Sequence, residues 1–175
     1  MKKYVAFLRG INISGKNKIS MAELKREFEA AGFFEVSTYL NSGNVVFAAD
    51  TVDTRCVIEN MLADKFGLDI PVYVIAMDEL KAILAEAPEW WNAGDKDQYD
   101  NLIFILSADT PDDLCNLVGE PSEGLEKIQI YHDVIFWTFD KKSYRKCNWW
   151  KKTASAGIAE KLTIRTANTL KKVVR

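Results

Sequence analysis

Runs rich in Val, Ile, Phe and Tyr lie at about 3–9, 35–40, 44–48, 71–76, 101–106, 126–131 and 134–139, and each has the length and composition of a strand. The stretches between them carry helical spacing. Met21, Leu24, Phe28 and Ala31 share one face of 20–32, which opens on the capping pattern Ser20-Met-Ala-Glu23 and stops at Gly32. Val57, Met61 and Leu62 share a face of 53–66, before Gly67. A third helix is expected from Asp78 to about Ala87, with Leu80, Ile83 and Leu84 inward and Pro88 as its stop. Further helices fit 111–118, 143–159 and 166–174, with a short strand at Leu162-Thr-Ile-Arg165.

Read in order, the first part is β-α-β-β-α-β and the second repeats it. Asn41-Ser-Gly-Asn44 and His132-Asp133 supply hairpin turns at equivalent places. The expected class is therefore α+β, with two tandem ferredoxin-like, split βαβ units from an internal duplication. The expected bounds are 1–77 for the first unit, 78–100 for a linker helix and a loop bearing Trp90 and Trp91, and 101–175 for the second unit with its basic C-terminal helix.

A chain of 175 residues, nearly half apolar and about a quarter charged, is long enough to bury a core and is not compositionally disordered. The apolar run after Met1 is cut by Arg9 before a signal-peptide core is complete, and no apolar segment reaches the length of a membrane span. A cytoplasmic protein without membrane association is expected. Cys56, Cys115 and Cys147 are odd in number and widely spaced, and the chain has one histidine, so reduced thiols are expected rather than disulfides, a metal site or a bound cofactor. His132 reads as a turn residue. Charge is uneven: residues 141–175 carry a net +10 and residues 1–140 a net −12. That asymmetry suits either an anionic partner or an internal match between basic tail and acidic body.

The loop Arg9-Gly-Ile-Asn-Ile-Ser-Gly-Lys16-Asn17 nearly spells a P-loop. Gly10, Gly15 and Lys16 have the spacing, but Asn17 stands where a hydroxyl should hold magnesium, and the helix begins several residues late. The loop suits polar contact, not nucleotide hydrolysis.

Leu8-Arg-Gly-Ile-Asn12 with Gly15, Lys18-Ile-Ser-Met21 leading to Leu24, and Thr38-Tyr-Leu-Asn-Ser-Gly-Asn-Val-Val-Phe47 together resemble the bacterial domain-of-unknown-function 1697 family. The resemblance spans essentially the whole chain and implies a duplicated ferredoxin-like fold. Thr163-x-Arg165 and Thr169 fit its C-terminal Thr-x-Arg-Asn-x-x-Thr pattern, with Thr166 in place of Asn. It supplies no activity, and the catalytic residues, if any, stay unknown.

Arg9, Asn12, Ser14, Lys16 and Lys18, with Ser42 and Asn44 of the hairpin and Arg165, Thr166 and Thr169 near the last helix, offer the cations, amides and hydroxyls of an oxyanion pocket. The same glycines and asparagines also serve turns. The expected ligand is a phosphate-bearing small molecule or nucleotide. One alternative is an enzyme acting on such a ligand. Another is nucleic-acid binding through the basic C-terminal segment, where Trp149, Trp150, Lys151 and Lys152 interleave aromatics with cations.

Overall fold

The computed structural model describes all 175 residues as a mixed α+β protein with two four-stranded antiparallel sheets and six helices. The chain divides into two compact units, Met1–Ala82 together with Lys171–Arg175, and Ile83–Leu170.

In the first part, β1 (Lys2–Leu8) leads through a long loop to α1 (Met21–Ala30), then β2 (Phe34–Tyr39), β3 (Asn44–Ala49), α2 (Thr54–Phe66), β4 (Val72–Ala76) and α3 (Met77–Ala85). The sheet order is β2-β3-β1-β4. Alternation assigns the faces: Ala6 and Leu8 of β1, Val45 and Phe47 of β3 and Val72 of β4 enter one core with Leu24 and Phe28 of α1 and Ile58 and Leu62 of α2. Val5 and Phe7 point the other way and are also buried. Burial on both faces explains why β1 reads as an unbroken apolar run. Each fully buried side chain of this kind contributes about 1.5–3 kcal/mol, far more than an exposed ion pair.

The helix ends follow local chemistry. After α1, Gly32 takes φ +93°, its N–H donates to Glu29 O and the Phe33 N–H donates to Phe28 O, a Schellman closure sealed by the Phe28–Phe33 ring contact. The expected capping box at its start is only half formed. Ser20 Oγ accepts from Glu23 N at 3.4 Å, while the Glu23 carboxylate turns to Arg26 at 3.9 Å.

The second part runs β5 (Gln98–Ile105), α4 (Pro111–Val118), β6 (Glu126–Tyr131), β7 (Val134–Asp140), α5 (Asn148–Thr153), β8 (Leu162–Thr166) and α6 (Ala167–Val173), with the sheet order β6-β7-β5-β8. Its core gathers Ile103, Leu114, Ile135, Trp137, Phe139, Trp149 and Leu162. Before β5, Trp91 is buried, donates from Nε1 to Asn101 O at 2.7 Å and meets Phe136 edge-on. The helix expected over 143–159 is corrected. It breaks into a 3-10 turn at Tyr144–Lys146, α5, and a second 3-10 turn at Ala159–Lys161, because Cys147 is extended (ψ 123°) and Gly157 adopts φ +86°. The short β8 is tied to the end of β5 by Leu106 N donating to Lys161 O and by the Lys161–Asp109 ion pair at 2.6 Å. Lys161 and the Ser107 hydroxyl hold the Asp109 carboxyl below its ordinary pKa.

Candidate functional site

The loop between β1 and α1 is held in shape by its own amides. Gly10, Asn12, Ser14, Gly15 and Asn17 all have positive φ. Asn12 spans the loop: its Oδ1 accepts from Ile19 N at 2.9 Å, and its Nδ2 donates to Ile19 O at 3.0 Å and to Asn41 O at 2.9 Å. Asn17, at the position a P-loop gives to its metal-binding hydroxyl, donates from Nδ2 to Gly10 O at 3.0 Å. Its side chain is thus spent on closing the turn. Lys16 closes the tip with a backbone bond to Ile13 O at 2.9 Å, and its side chain is exposed.

The hairpin between β2 and β3 is locked against this loop. Leu8 N donates to Gly43 O at 2.8 Å, and a Cβ on Gly43 would lie 2.8 Å from Leu8 Cβ and from Ile11 Cδ1. Asn44 is fully buried, donating from Nδ2 to Tyr39 O and Ser42 Oγ, while its Oδ1 is buried without a hydrogen bond. Asn44 therefore braces the turn from inside and offers no surface group, whereas Ser42 is exposed.

Asn12, Gly15, Lys18, Ile19, Ser20, Met21 and Asn41 line a recess of about 570 Å³ at the N-terminus of α1. Lys18 and Lys16 make no ion pair. Met21 and Ala22 begin α1, so their N–H groups have no carbonyl of the helix to bond. The recess thus combines an ammonium group with the positive end of a ten-residue helix. Arg9, half-buried at the exit of β1, and exposed Ser14 are not among its lining residues. Asn41 is, and the hairpin pattern had given it only a turn role.

Arg165, Thr166 and Thr169 belong to the second unit. Arg165 lies in β8 opposite Leu102 and is 8% exposed; burial lowers its pKa to about 10, so it stays cationic at neutral pH. The Thr166 hydroxyl accepts from Thr169 N at 3.2 Å and lies 3.1 Å from the Thr169 hydroxyl, an N-terminal capping arrangement for α6. That bond accounts for a hydroxyl at position 166.

The second tryptophan pair divides between core and surface. Trp149 is fully buried, with Nε1 donating to Gly119 O at 2.9 Å, so the base-stacking role expected of it is corrected: it has no face to offer. Trp150 is 37% exposed and meets Tyr144 edge-on at 4.7 Å. Lys151 and Lys152 are exposed and make no ion pair. The residue that positions this segment, Glu126, lay outside the expected set. Its buried carboxylate accepts from Ser122 N, Trp149 N and Trp150 N at 2.9–3.2 Å, capping α5.

A family model described as protein of unknown function, DUF1697, matches residues 1–136. The chain belongs to the DUF1697 family. A solved structure of a conserved bacterial protein from Streptococcus pneumoniae is 28% identical, with a TM-score of 0.81 over 99% of this chain and 97% of that one. None of the curated proteins matches the chain. The DUF1697 match takes in the whole β1–α1 loop and its hairpin but ends at Phe136, before α5.

Proposed function

We propose that this DUF1697 protein is a pair of ferredoxin-like units derived from one duplication, and that it binds a phosphate-bearing small molecule or nucleotide beside the β1–α1 loop. The duplication reading is supported by the order β-α-β-β-α-β-α occurring twice with equivalent sheet orders. The ligand reading rests on one observation: Lys18, without a carboxylate partner, lines the recess into which α1 begins. A cation and free helix amides stabilise an anion together, and the Asn12 clamp orders the loop backbone in advance, which lowers the cost of binding. Lys16 stands on the same loop as a second cation. A soluble, cytoplasmic location fits this reading; no helix is long and apolar enough to cross a membrane.

The test is a thermal-shift screen with nucleotides and sugar phosphates at about 1 mM. A ligand with a Kd near 0.1 mM adds about 1.4 kcal/mol, which raises the midpoint of a chain this size by roughly 3–6 °C. Lys18→Ala should remove most of that rise without altering the midpoint of the free protein. A panel that leaves the midpoint unmoved, or a rise that survives Lys18→Ala, removes the assignment.

A further inference from the structure

The segment 144–152 departs from an ordinary solvated charge run in three ways. Arg145, Lys146, Lys151 and Lys152 are all exposed, and none has a carboxylate within ion-pair distance, whereas Lys142 and Lys161 of the same basic stretch pair with Asp97 and Asp109. Four cations within eight residues, none paired with a carboxylate, repel one another. An aromatic surface lies among them: Trp150 keeps 37% of its surface in solvent, Tyr144 buttresses it edge-on, and the Arg145 guanidinium sits 5.6 Å over the Tyr144 ring while donating from Nε to Tyr144 Oη.

The platform is also rigid. Asn148 donates to Val118 O and Glu120 O and from its backbone to Ser122 Oγ, Glu126 caps the helix start, and Trp149 anchors it in the core. Two carboxylates that reach this segment are held in place: Glu126 accepts from three amides, and Asp140 from Ser143 N at 3.0 Å. Acidic groups beyond about 10 Å are screened at ordinary salt.

A fixed, partly exposed indole on a short segment that also carries four unpaired cations matches the chemistry of a polynucleotide strand, whose bases stack and whose phosphates require neutralisation. We propose that the outer surface of α5, with Tyr144 and Arg145, binds single-stranded nucleic acid, Trp150 stacking on a base and Arg145, Lys146, Lys151 and Lys152 contacting the phosphates. This surface is separate from the recess at α1 and does not depend on it.

Fluorescence anisotropy with labelled single strands of RNA and of DNA, and with a duplex, at about 50 mM salt tests the proposal. Four phosphate contacts predict a fall of about 2.8 logarithmic units in affinity per tenfold rise in salt, or roughly 20-fold between 50 and 150 mM. The pair Lys151→Gln, Lys152→Gln should halve that slope and weaken binding at least tenfold. Trp150→Ala should weaken single-strand binding by roughly 5- to 150-fold, with Trp150→Phe recovering much of it. Circular dichroism reports whether each variant is folded, and the lysine pair decides the matter should Trp150→Ala unfold. Preference for RNA or DNA identifies the natural strand. No binding of either strand by the native chain, equal binding by native chain and lysine pair, or a duplex bound as tightly as a single strand each overturns the proposal.

Discussion

Gly43 and Gly10 look alike in the sequence, since each follows a polar or charged residue next to an apolar run, and in the structure both take positive φ, at +80° and +72°. Their surroundings differ. A side chain at Gly10 meets nothing within 4 Å, so Gly10→Ala incurs mainly the left-handed backbone penalty of about 1–2 kcal/mol. At Gly43 the added carbon would lie 2.8 Å from Leu8 Cβ, an atom fixed to the backbone of β1 that cannot swing aside. Gly43→Ala should therefore cost overpacking besides conformation, roughly 2–5 kcal/mol in all. Urea unfolding of the two variants checks this, and equal losses would mean that the Leu8–Gly43 contact is not tight in solution. The pattern Asn-Ser-Gly-Asn announced a turn, but not that the turn presses against Ile11 and Leu8, because those contacts cross more than thirty residues of sequence.

At the scale of elements, a local pattern shows that a helix can start, and distant partners decide how it is held. Thr110-Pro-Asp-Asp113 closes both bonds of a capping box at α4, with Thr110 Oγ1 accepting from Asp113 N and Asp113 Oδ2 accepting from Thr110 N. Ser20–Glu23 has the same spacing and closes one, since Arg26 competes for the carboxylate. The start of α5 has no local cap; Glu126, 23 residues earlier than Trp149, performs that role from β6. This distance is why 143–159 reads as one helix although the chain forms only six residues of α-helix there. The helices α1, α2 and α4 were legible because each turns one apolar face to a core, and the strands because they are apolar on a buried face or, like β1, on both. Lys18 was legible as a loop cation, but the recess it lines was not, since that recess depends on Asn12 reaching Asn41. Glu126→Gln leaves one carbonyl to serve three N–H donors and removes the charge that complements the helix dipole. The expected loss is roughly 2–4 kcal/mol, read from a urea denaturation midpoint. A loss below about 0.5 kcal/mol would show that water replaces the carboxylate at no cost.

For the whole molecule, the question is what the opposed charges of residues 1–140 and 141–175 do for folding. An internal electrostatic match would need the basic segment to be paired. Of its eleven basic residues, Lys142 pairs with Asp97 at 3.4 Å and Lys161 with Asp109 at 2.6 Å, Arg165 is buried in β8, and Lys141, Arg145, Lys146, Lys151, Lys152, Lys171, Lys172 and Arg175 form no ion pair. Among the chain's other ion pairs, Met1–Asp50, Lys3–Glu35 and Arg26–Glu23 join exposed groups. Such pairs contribute about 0–1 kcal/mol each and are screened by salt. Stability then rests on the two apolar cores, whose burial sodium chloride does not weaken. The unfolding free energy should change by less than about 1 kcal/mol between 50 and 500 mM sodium chloride, while any polynucleotide affinity falls steeply over the same range. Urea titrations at the two salt concentrations make the comparison. A loss of several kcal/mol at high salt would mean that attraction between basic and acidic segments holds the fold, and the free cations around Trp150 would then be needed for the chain's own stability rather than for a partner.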